Sequence, residues 1–303
     1  MSVRTASVWM ALFTLVSAAC SPSTDDGPAT ADAGPGGDVP MPALDADISC
    51  FTPGETWRAQ DLAADIGTEQ SVEFRTLPLG GEEDEIAAEV ELAIWFDNSN
   101  VGDADANGVT GNDGTVSMTV PTCQPLTVRA VRDPDTEVTF KANLVVDPAL
   151  SVADVTVVET LTSASIKAIL NETIDNSSSL VAGTVYDCAG EPISGVRARV
   201  RDANGDLLED ARDYYFNDRD LPTRRETQQY TNTDGKWVVF NLPVGEVFVE
   251  IYANQCEGDA CEEIILGGTK LRSEGDSVNI GNVNAGVEQG VYFPASCLTE
   301  GMQ

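Results

Sequence analysis

The stretch Asp103-Ala104-Asp105-Ala106-Asn107-Gly108 reads D-x-D-x-N-G, the opening of a calcium loop. In that pattern alternate carboxylates and an amide point at one hard cation while the glycine makes the sharp turn. The place where such loops carry a bidentate glutamate is Gly114, with Asp113 directly before it, and no helix is expected on either side. The candidate ligands are therefore Asp103, Asp105 and Asn107, with Asp97 or Asp113 completing the shell. Calcium is the one cofactor the sequence suggests; the competing reading is a solvated polar loop in an acidic protein. A second group, Tyr214-Tyr215-Phe216 with Arg219, Arg224 and Arg225, lies in a long charged insertion between Asn204-Gly205 and Thr231. Exposed aromatics stack on sugar rings, and Arg224 could grip a carboxylate or phosphate. Alternatively, Tyr214, Tyr215 and Phe216 pack the insertion onto a sheet edge.

Other chemistry is missing. The chain has no histidine, so the usual general base, triad base and metal ligand are absent. Gly-x-Ser-x-Gly, phosphate-cradling glycine loops and Cys-x-x-Cys do not occur either. Enzymatic activity is not expected. A formal charge of −33 disfavours nucleic acid and bare anionic membrane as partners, because like charges repel within a Debye length. Only four lysines, Lys141, Lys167, Lys236 and Lys270, are available for a basic patch.

The elements that must position these residues are strands. Val196, Ala198 and Val200 alternate with Arg197, Arg199 and Arg201, the period of a half-buried strand, and Asn204-Gly205 is a hairpin signal. Asp234-Gly235 makes a second turn into Trp237 to Phe240, a run that reads as buried on both faces, and Val247, Val249 and Ile251 resume the alternation after Leu242-Pro243-Val244-Gly245. Earlier, Ile86, Ala88, Val90, Leu92, Ile94 and Phe96 alternate with Glu89, Glu91 and Trp95. Asp113-Gly114 through Pro121 then parallels Asp234-Gly235 through Pro243, as in a degenerate internal repeat. Thr160 to Asn171 carries Leu161, Ile166, Ile169 and Leu170 at mixed helical spacing, which suggests a short helix bridging the domains, and Asp175 to Ser179 reads as their boundary.

The stretch from Val181-Ala182-Gly183-Thr184-Val185-Tyr186 to Leu242-Pro243-Val244-Gly245 resembles a carboxypeptidase regulatory-like domain. That resemblance implies a small transthyretin-type sandwich acting as an accessory module, and relatives of its superfamily include starch-binding-like domains. Fold alone does not assign function.

Residues 1–19 read as a secretory signal, with Arg4, an apolar run from Val8 to Val16 and the small residues Ser17-Ala18-Ala19 before Cys20. The end of that signal resembles a bacterial lipobox, with Ser17 where the family usually has Leu; the resemblance implies acylation of Cys20. Ser21 in place of Asp resembles the pattern that sends lipoproteins to the outer membrane. Ordinary signal cleavage is the alternative. Parity favours the lipid, since seven cysteines become six if Cys20 is acylated. Residues 20–49 read as a disordered acidic tether.

The expectation is therefore an all-β chain with two Greek-key β-sandwich domains of transthyretin/Ig-like type, over 50–175 and 176–303. The disulfide pairing local to each domain is Cys50 with Cys123, Cys188 with Cys297 and Cys256 with Cys261. Cys256 and Cys261 can also be read as a metal pair, but without a second close pair a four-ligand zinc site is disfavoured. The functional expectation is a non-catalytic, lipid-anchored module on the outer membrane or cell surface that binds carbohydrate. A scaffold for envelope proteins and an accessory component of a secreted hydrolase system are the alternatives.

Overall fold

The computed structural model describes residues 41–49, 67–81, 85–257, 260–286, 291 and 293–297. The expected signal, Cys20, most of the tether and Cys50 lie outside the described residues.

The architecture is an all-β sandwich, built twice around one shared sheet. In the first half, β1 (Glu69–Pro78) is flanked by β4 (Thr115–Pro121), antiparallel, and β7 (Val152–Val157), parallel. This small sheet faces β2 (Glu91–Trp95), β3 (Ala106–Val109), β5 (Pro125–Val131) and β6 (Val138–Val145). Between them Val72, Phe74, Leu92, Ile94, Val120, Leu126, Val128 and Val155 form one core. In the second half, β9 (Arg197–Asp202), β13 (Gly245–Glu257) and β14 (Ala260–Ser273) form another three-stranded sheet. It faces β8 (Ser178–Tyr186), β10 (Arg212–Phe216), β11 (Pro222–Thr223) and β12 (Lys236–Pro243) across a core of Val181, Val196, Val200, Trp237, Val239, Val249, Ile251 and Leu266.

One strand joins the halves. β15 (Ser277–Ile280) lies between β6 and β8 and is parallel to both, pairing Ser277 to Ile280 with Val138 to Lys141 and Val278 to Ile280 with Leu180 to Ala182. The sheet therefore runs β11-β10-β12-β8-β15-β6-β5-β2-β3, with β16 (Val283–Asn284) beside β8. The line drawn at 175/176 separates two cores but not this sheet. All four residues of β15 are buried, as expected of a central parallel strand. Its one amide, Asn279, donates to Leu180 O at 2.9 Å and to Ser179 Oγ at 3.3 Å, and Ser179 Oγ lies 2.5 Å from Ser273 Oγ. Buried polar groups need such partners, and here they set the register of the joint.

A single α-helix among the described residues, α1 (Thr160–Leu170), covers the outer face of the shared sheet. Under it Leu180, Tyr214, Val238, Phe240, Val278 and Ile280 form a third core with Leu170. The expected helix is present, but Ser163, Ile166 and Leu170 make its inner face, and Leu161 is 78 % exposed. Asn171, left-handed at φ 58°, ends it.

Two expectations shift, one for a strand and one for the tether. The alternation from Ile86 to Phe96 holds only from Val90 onward, because Glu89 has φ 57° and throws the preceding residues out of phase; Ala87 is buried in place of Ala88, and Ile86 is exposed. The tether is shorter than expected at its end. Residues 41–49 form a strap on the second core, with Leu44 N–H donating to Asn254 O at 2.8 Å and Cys188 N–H to Asp47 O at 2.9 Å. Leu44, Ala46 and Ile48 pack against that core, supplying the apolar side chains that the preceding stretch lacks.

The two Asp-Gly turns share one geometry. Asp113 and Asp234 each accept a hydrogen bond from the N–H two residues on, at 3.1 Å. Gly114 and Gly235 follow at φ 70° and 64°. A Cβ on Gly235 would stand 2.7 Å from Val185 O, so only glycine fits.

Candidate functional site

The D-x-D-x-N-G stretch lies along the β2–β3 hairpin. Asn107 sits within β3 opposite Ala93, while Asp103 is in the preceding loop and Asp113 in the following turn. Asp105 Oδ2 accepts from Phe96 N–H at 2.7 Å, and Asp97 Oδ1 accepts from the Ser99 hydroxyl at 2.7 Å and its N–H at 3.0 Å. The Ser99 hydrogen bonds hold the Asp97 carboxyl below its ordinary range. Among the described residues, no group of three or more His, Cys, Asp or Glu side chains is placed to hold a metal ion.

What this loop does carry is a joint. Asn98 Nδ2 donates to Asn143 Oδ1 at 2.7 Å, and Asn98 Oδ1 accepts from Asn143 N–H at 3.0 Å and from Thr127 Oγ1 at 2.8 Å. Asn143 Nδ2 then reaches Thr269 Oγ1 at 3.0 Å and Lys270 O at 2.9 Å, while Asn100 Nδ2 reaches Glu274 Oε1 at 3.1 Å. All three asparagines have positive φ, a conformation asparagine tolerates because its short amide bonds locally. Spacing alone did not mark them; the Asn-x-Asn at 98–100 was the available signal.

The insertion is part of the cores. Tyr215 is fully buried, donating to Asp213 Oδ2 at 2.7 Å and accepting from Ala198 N–H at 2.9 Å. Tyr214, 7 % exposed, meets the Phe240 ring edge-on at 5.9 Å and donates to Glu172 Oε1. Phe216 packs on the third core. Successive residues of a strand face opposite sides, so β10 serves two cores at once. The expectation that these aromatics form an exposed stacking platform is corrected: they hold the insertion to the sheet. Arg224 is exposed, and Arg225 pairs with Asp213 at 2.9 Å.

The outer face of β9 was legible only as polar. Arg199 grips Glu263 with two bonds, 2.7 and 2.9 Å, and stacks 4.2 Å over the Tyr252 ring. Arg201 donates to Glu250 at 2.7 Å, and Tyr252 donates to the same oxygen. Hydrogen bonds to Glu250 and Tyr252 raise the Arg201 guanidinium pKa above its ordinary value. Burial first, then the Glu250 carboxylate, raises the Tyr252 phenol.

The cysteines correct the expected pairing. Cys123 bonds Cys297, across a sequence separation of 174, so neither Cys50–Cys123 nor Cys188–Cys297 forms. Locality misled because the chain's end, a 3-10 turn at Ala295–Cys297, returns to the first half. Cys188 is disulfide-bonded as well. Cys256–Cys261 forms as expected, between residues paired directly across the β13–β14 hairpin.

No family model and no curated protein matches this chain. Among solved structures, it is similar to the Bacillus anthracis TIE protein, at 12 % identity and a TM-score of 0.23, over 72 % of this chain and 34 % of that one. It is also similar to the shaft pilin SpaA of Lactobacillus rhamnosus GG, at 10 % identity and a TM-score of 0.22, over 72 % of this chain and 98 % of that one. Two B repeat units of the collagen-binding protein of Staphylococcus aureus give 13 % identity and a TM-score of 0.19, over 72 % and 49 %. This chain thus spans about a third of the TIE protein's length. At TM-scores this low the likeness decides nothing about what the chain does.

Proposed function

We propose that this chain is a non-catalytic surface module with a structural role, a rigid body that presents or holds other envelope components. The observation that carries the reading is the burial of Tyr214 and Tyr215: the aromatic side chains best suited to ligand stacking sit at 7 % and 0 % exposure and tie β10 to two cores. An assembly role needs rigidity and free strand edges, and β3, β7 and β14 end their sheets without a further paired strand among the described residues. Lipid anchoring through Cys20 and an outer-membrane address belong to this reading, which follows the resemblance of the leader to a lipobox. The test is fractionation of cells expressing the full chain beside its Cys20→Ser variant. A lipid-anchored module goes with the outer membrane, and the variant moves to the soluble fraction; wild-type chain in the soluble fraction overturns the anchor. Purified protein on a glycan array, with and without calcium, is expected to stay silent. A hit that Arg224→Ala abolishes would restore the carbohydrate reading instead, and calcium dependence would restore the ligands at Asp103, Asp105, Asn107 and Asp113.

A further inference from the structure

Of the cysteines among the described residues, only Cys261 is exposed; Cys188 and Cys256 are half-buried, and Cys123 and Cys297 are 3 % and 0 % exposed. Cys261 stands directly across the β13–β14 hairpin from Cys256, with Cα atoms 4.0 Å apart. The ladder beside them is held from both flanks. Asn254 O accepts from Leu44 N–H at 2.8 Å, and Asn254 Nδ2 donates to Met41 O at 2.8 Å. Its cross-strand partner, Glu263, is gripped by Arg199 at 2.7 and 2.9 Å. Both cysteine backbones therefore keep their places when the bond between them is cut. The surrounding sequence has one sign: Cys256-Glu257-Gly258-Asp259-Ala260-Cys261-Glu262-Glu263 carries four acids and no Lys or Arg. Arg199 offsets Glu263, while Glu262 is exposed.

We infer that Cys256–Cys261 is a thiol-exchange site selective for cationic thiols, whose macromolecular form is a cysteine flanked by lysine or arginine on another polypeptide. The incoming thiolate attacks Cys261 Sγ, the bond to Cys256 breaks, and Cys256 leaves as a thiolate that takes a proton from water. A mixed disulfide now joins Cys261 to the incoming sulfur. Either Cys256 attacks back and expels the partner, or a second thiol resolves the adduct, so that two thiols are oxidised to one disulfide as the pair is reduced. Held opposite Cys261, Cys256 acts at a high effective concentration, and an adduct lasts only where further contacts hold the partner. The acids decide which thiol arrives. A thiolate that carries an ammonium group has no net charge, that of a neutral thiol has one negative charge, and that of a sulfonated thiol has two. Two carboxylates at about 8 Å slow the attack roughly fivefold for each added negative charge at low ionic strength. Salt at about 1 M, with a Debye length of about 3 Å, removes the difference.

Such a site gives the surface module a covalent hold on an envelope partner, yet a chain that proved to be unanchored would show the same exchange. The oxidised full chain is incubated with cysteamine, 2-mercaptoethanol or 2-mercaptoethanesulfonate at equal thiolate concentrations, and the reaction is stopped with excess iodoacetamide. Mass spectrometry of the peptides then reports which cysteines were freed. Label is expected at Cys256 and Cys261 alone, while tryptophan fluorescence stays native. Rates should fall in the order cysteamine, 2-mercaptoethanol, 2-mercaptoethanesulfonate and converge in molar sodium chloride. Glu262→Gln should narrow each step by about twofold. First label at Cys123, Cys188 or Cys297, or no label until urea unfolds the chain, overturns the site. Equal rates for the three thiols overturn its selectivity, and a spread unchanged by Glu262→Gln overturns the local origin of that selectivity.

Discussion

Removing one oxygen atom, in Tyr215→Phe, tests whether the insertion belongs to the core. The Tyr215 hydroxyl is the acceptor for Ala198 N–H at 2.9 Å, on a strand that is otherwise paired, and the donor to Asp213 at 2.7 Å. Ala198 is 4 % exposed, so phenylalanine leaves that N–H buried and unmade. An orphaned buried donor costs about 1 to 3 kcal/mol, and the lost bond to a carboxylate adds to it, so the expected destabilisation is about 2 to 4 kcal/mol. Asp213 keeps its ion pair with Arg225, which limits the second contribution. For a domain of this size the melting temperature should fall on the order of 5 to 10 °C. Urea unfolding followed by tryptophan fluorescence measures the loss. The control is Tyr186→Phe, whose hydroxyl makes no hydrogen bond among the described residues and which should change little. Alkaline pH gives a second reading of the same group. Burial, then the neighbouring Asp213 carboxylate, raises the Tyr215 phenol well above 10.0, so the folded state holds its proton more tightly than the unfolded chain. That stability is complete below the unfolded value and is lost as pH climbs above it. Tyr214 and Tyr252 are raised too, each by burial first. Wild-type protein should therefore destabilise above pH 10.0 more steeply than the variant. A Tyr215→Phe change within the roughly 0.5 kcal/mol of an ordinary surface substitution would refute the reasoning.

Ser163 Oγ is buried in α1 without a hydrogen-bond partner among the described residues, so Ser163→Ala should stabilise the protein by about 1 kcal/mol in urea unfolding; a loss of that size would reveal a further partner. Gly235→Ala meets both a left-handed φ of 64° and a contact of 2.7 Å with Val185 O, and should cost more than Gly190→Ala, whose added Cβ has nothing within 4 Å. The φ strain alone is about 1 to 2 kcal/mol, and thermal melts of the two variants would separate strain from collision. Because the formal charge is −33, the urea midpoint should rise with sodium chloride as self-repulsion is screened. A midpoint indifferent to salt would mean that the carboxylates are already compensated locally.

Periodicity of two placed the strands that carry it, β9, β13 and β2 from Val90 onward, because burial on one face requires it. Val196, Ala198 and Val200 are inside, with Arg197, Arg199 and Arg201 outside, and Trp237 to Phe240 is buried on both faces, as its unbroken apolar run demands. The Asp-Gly turns were equally readable, since their backbone needs a residue without Cβ. Local chemistry also disclosed Cys256–Cys261. What the sequence could not disclose was which of two faces an aromatic would meet. Tyr214, Tyr215 and Phe216 carry the same signal whether they stack on a sugar or fill a core, and only the arrival of the β9-β13-β14 sheet on one face of β10 and of α1 on the other decided it. The spacing of Asp103, Asp105 and Asn107 likewise did not reveal that Asn107 would lie within β3, paired with Ala93, rather than in a loop. Pairings between distant segments were the least legible of all. β15 between β6 and β8, the strap on β13, and Cys123 with Cys297 depend on where whole sheets pack, and no short-range pattern encodes that. Sequence determined the strands, their buried faces and their turns, because those follow from neighbours along the chain; tertiary structure alone decided the shared sheet and the crossed ends, because burial energy is indifferent to sequence distance.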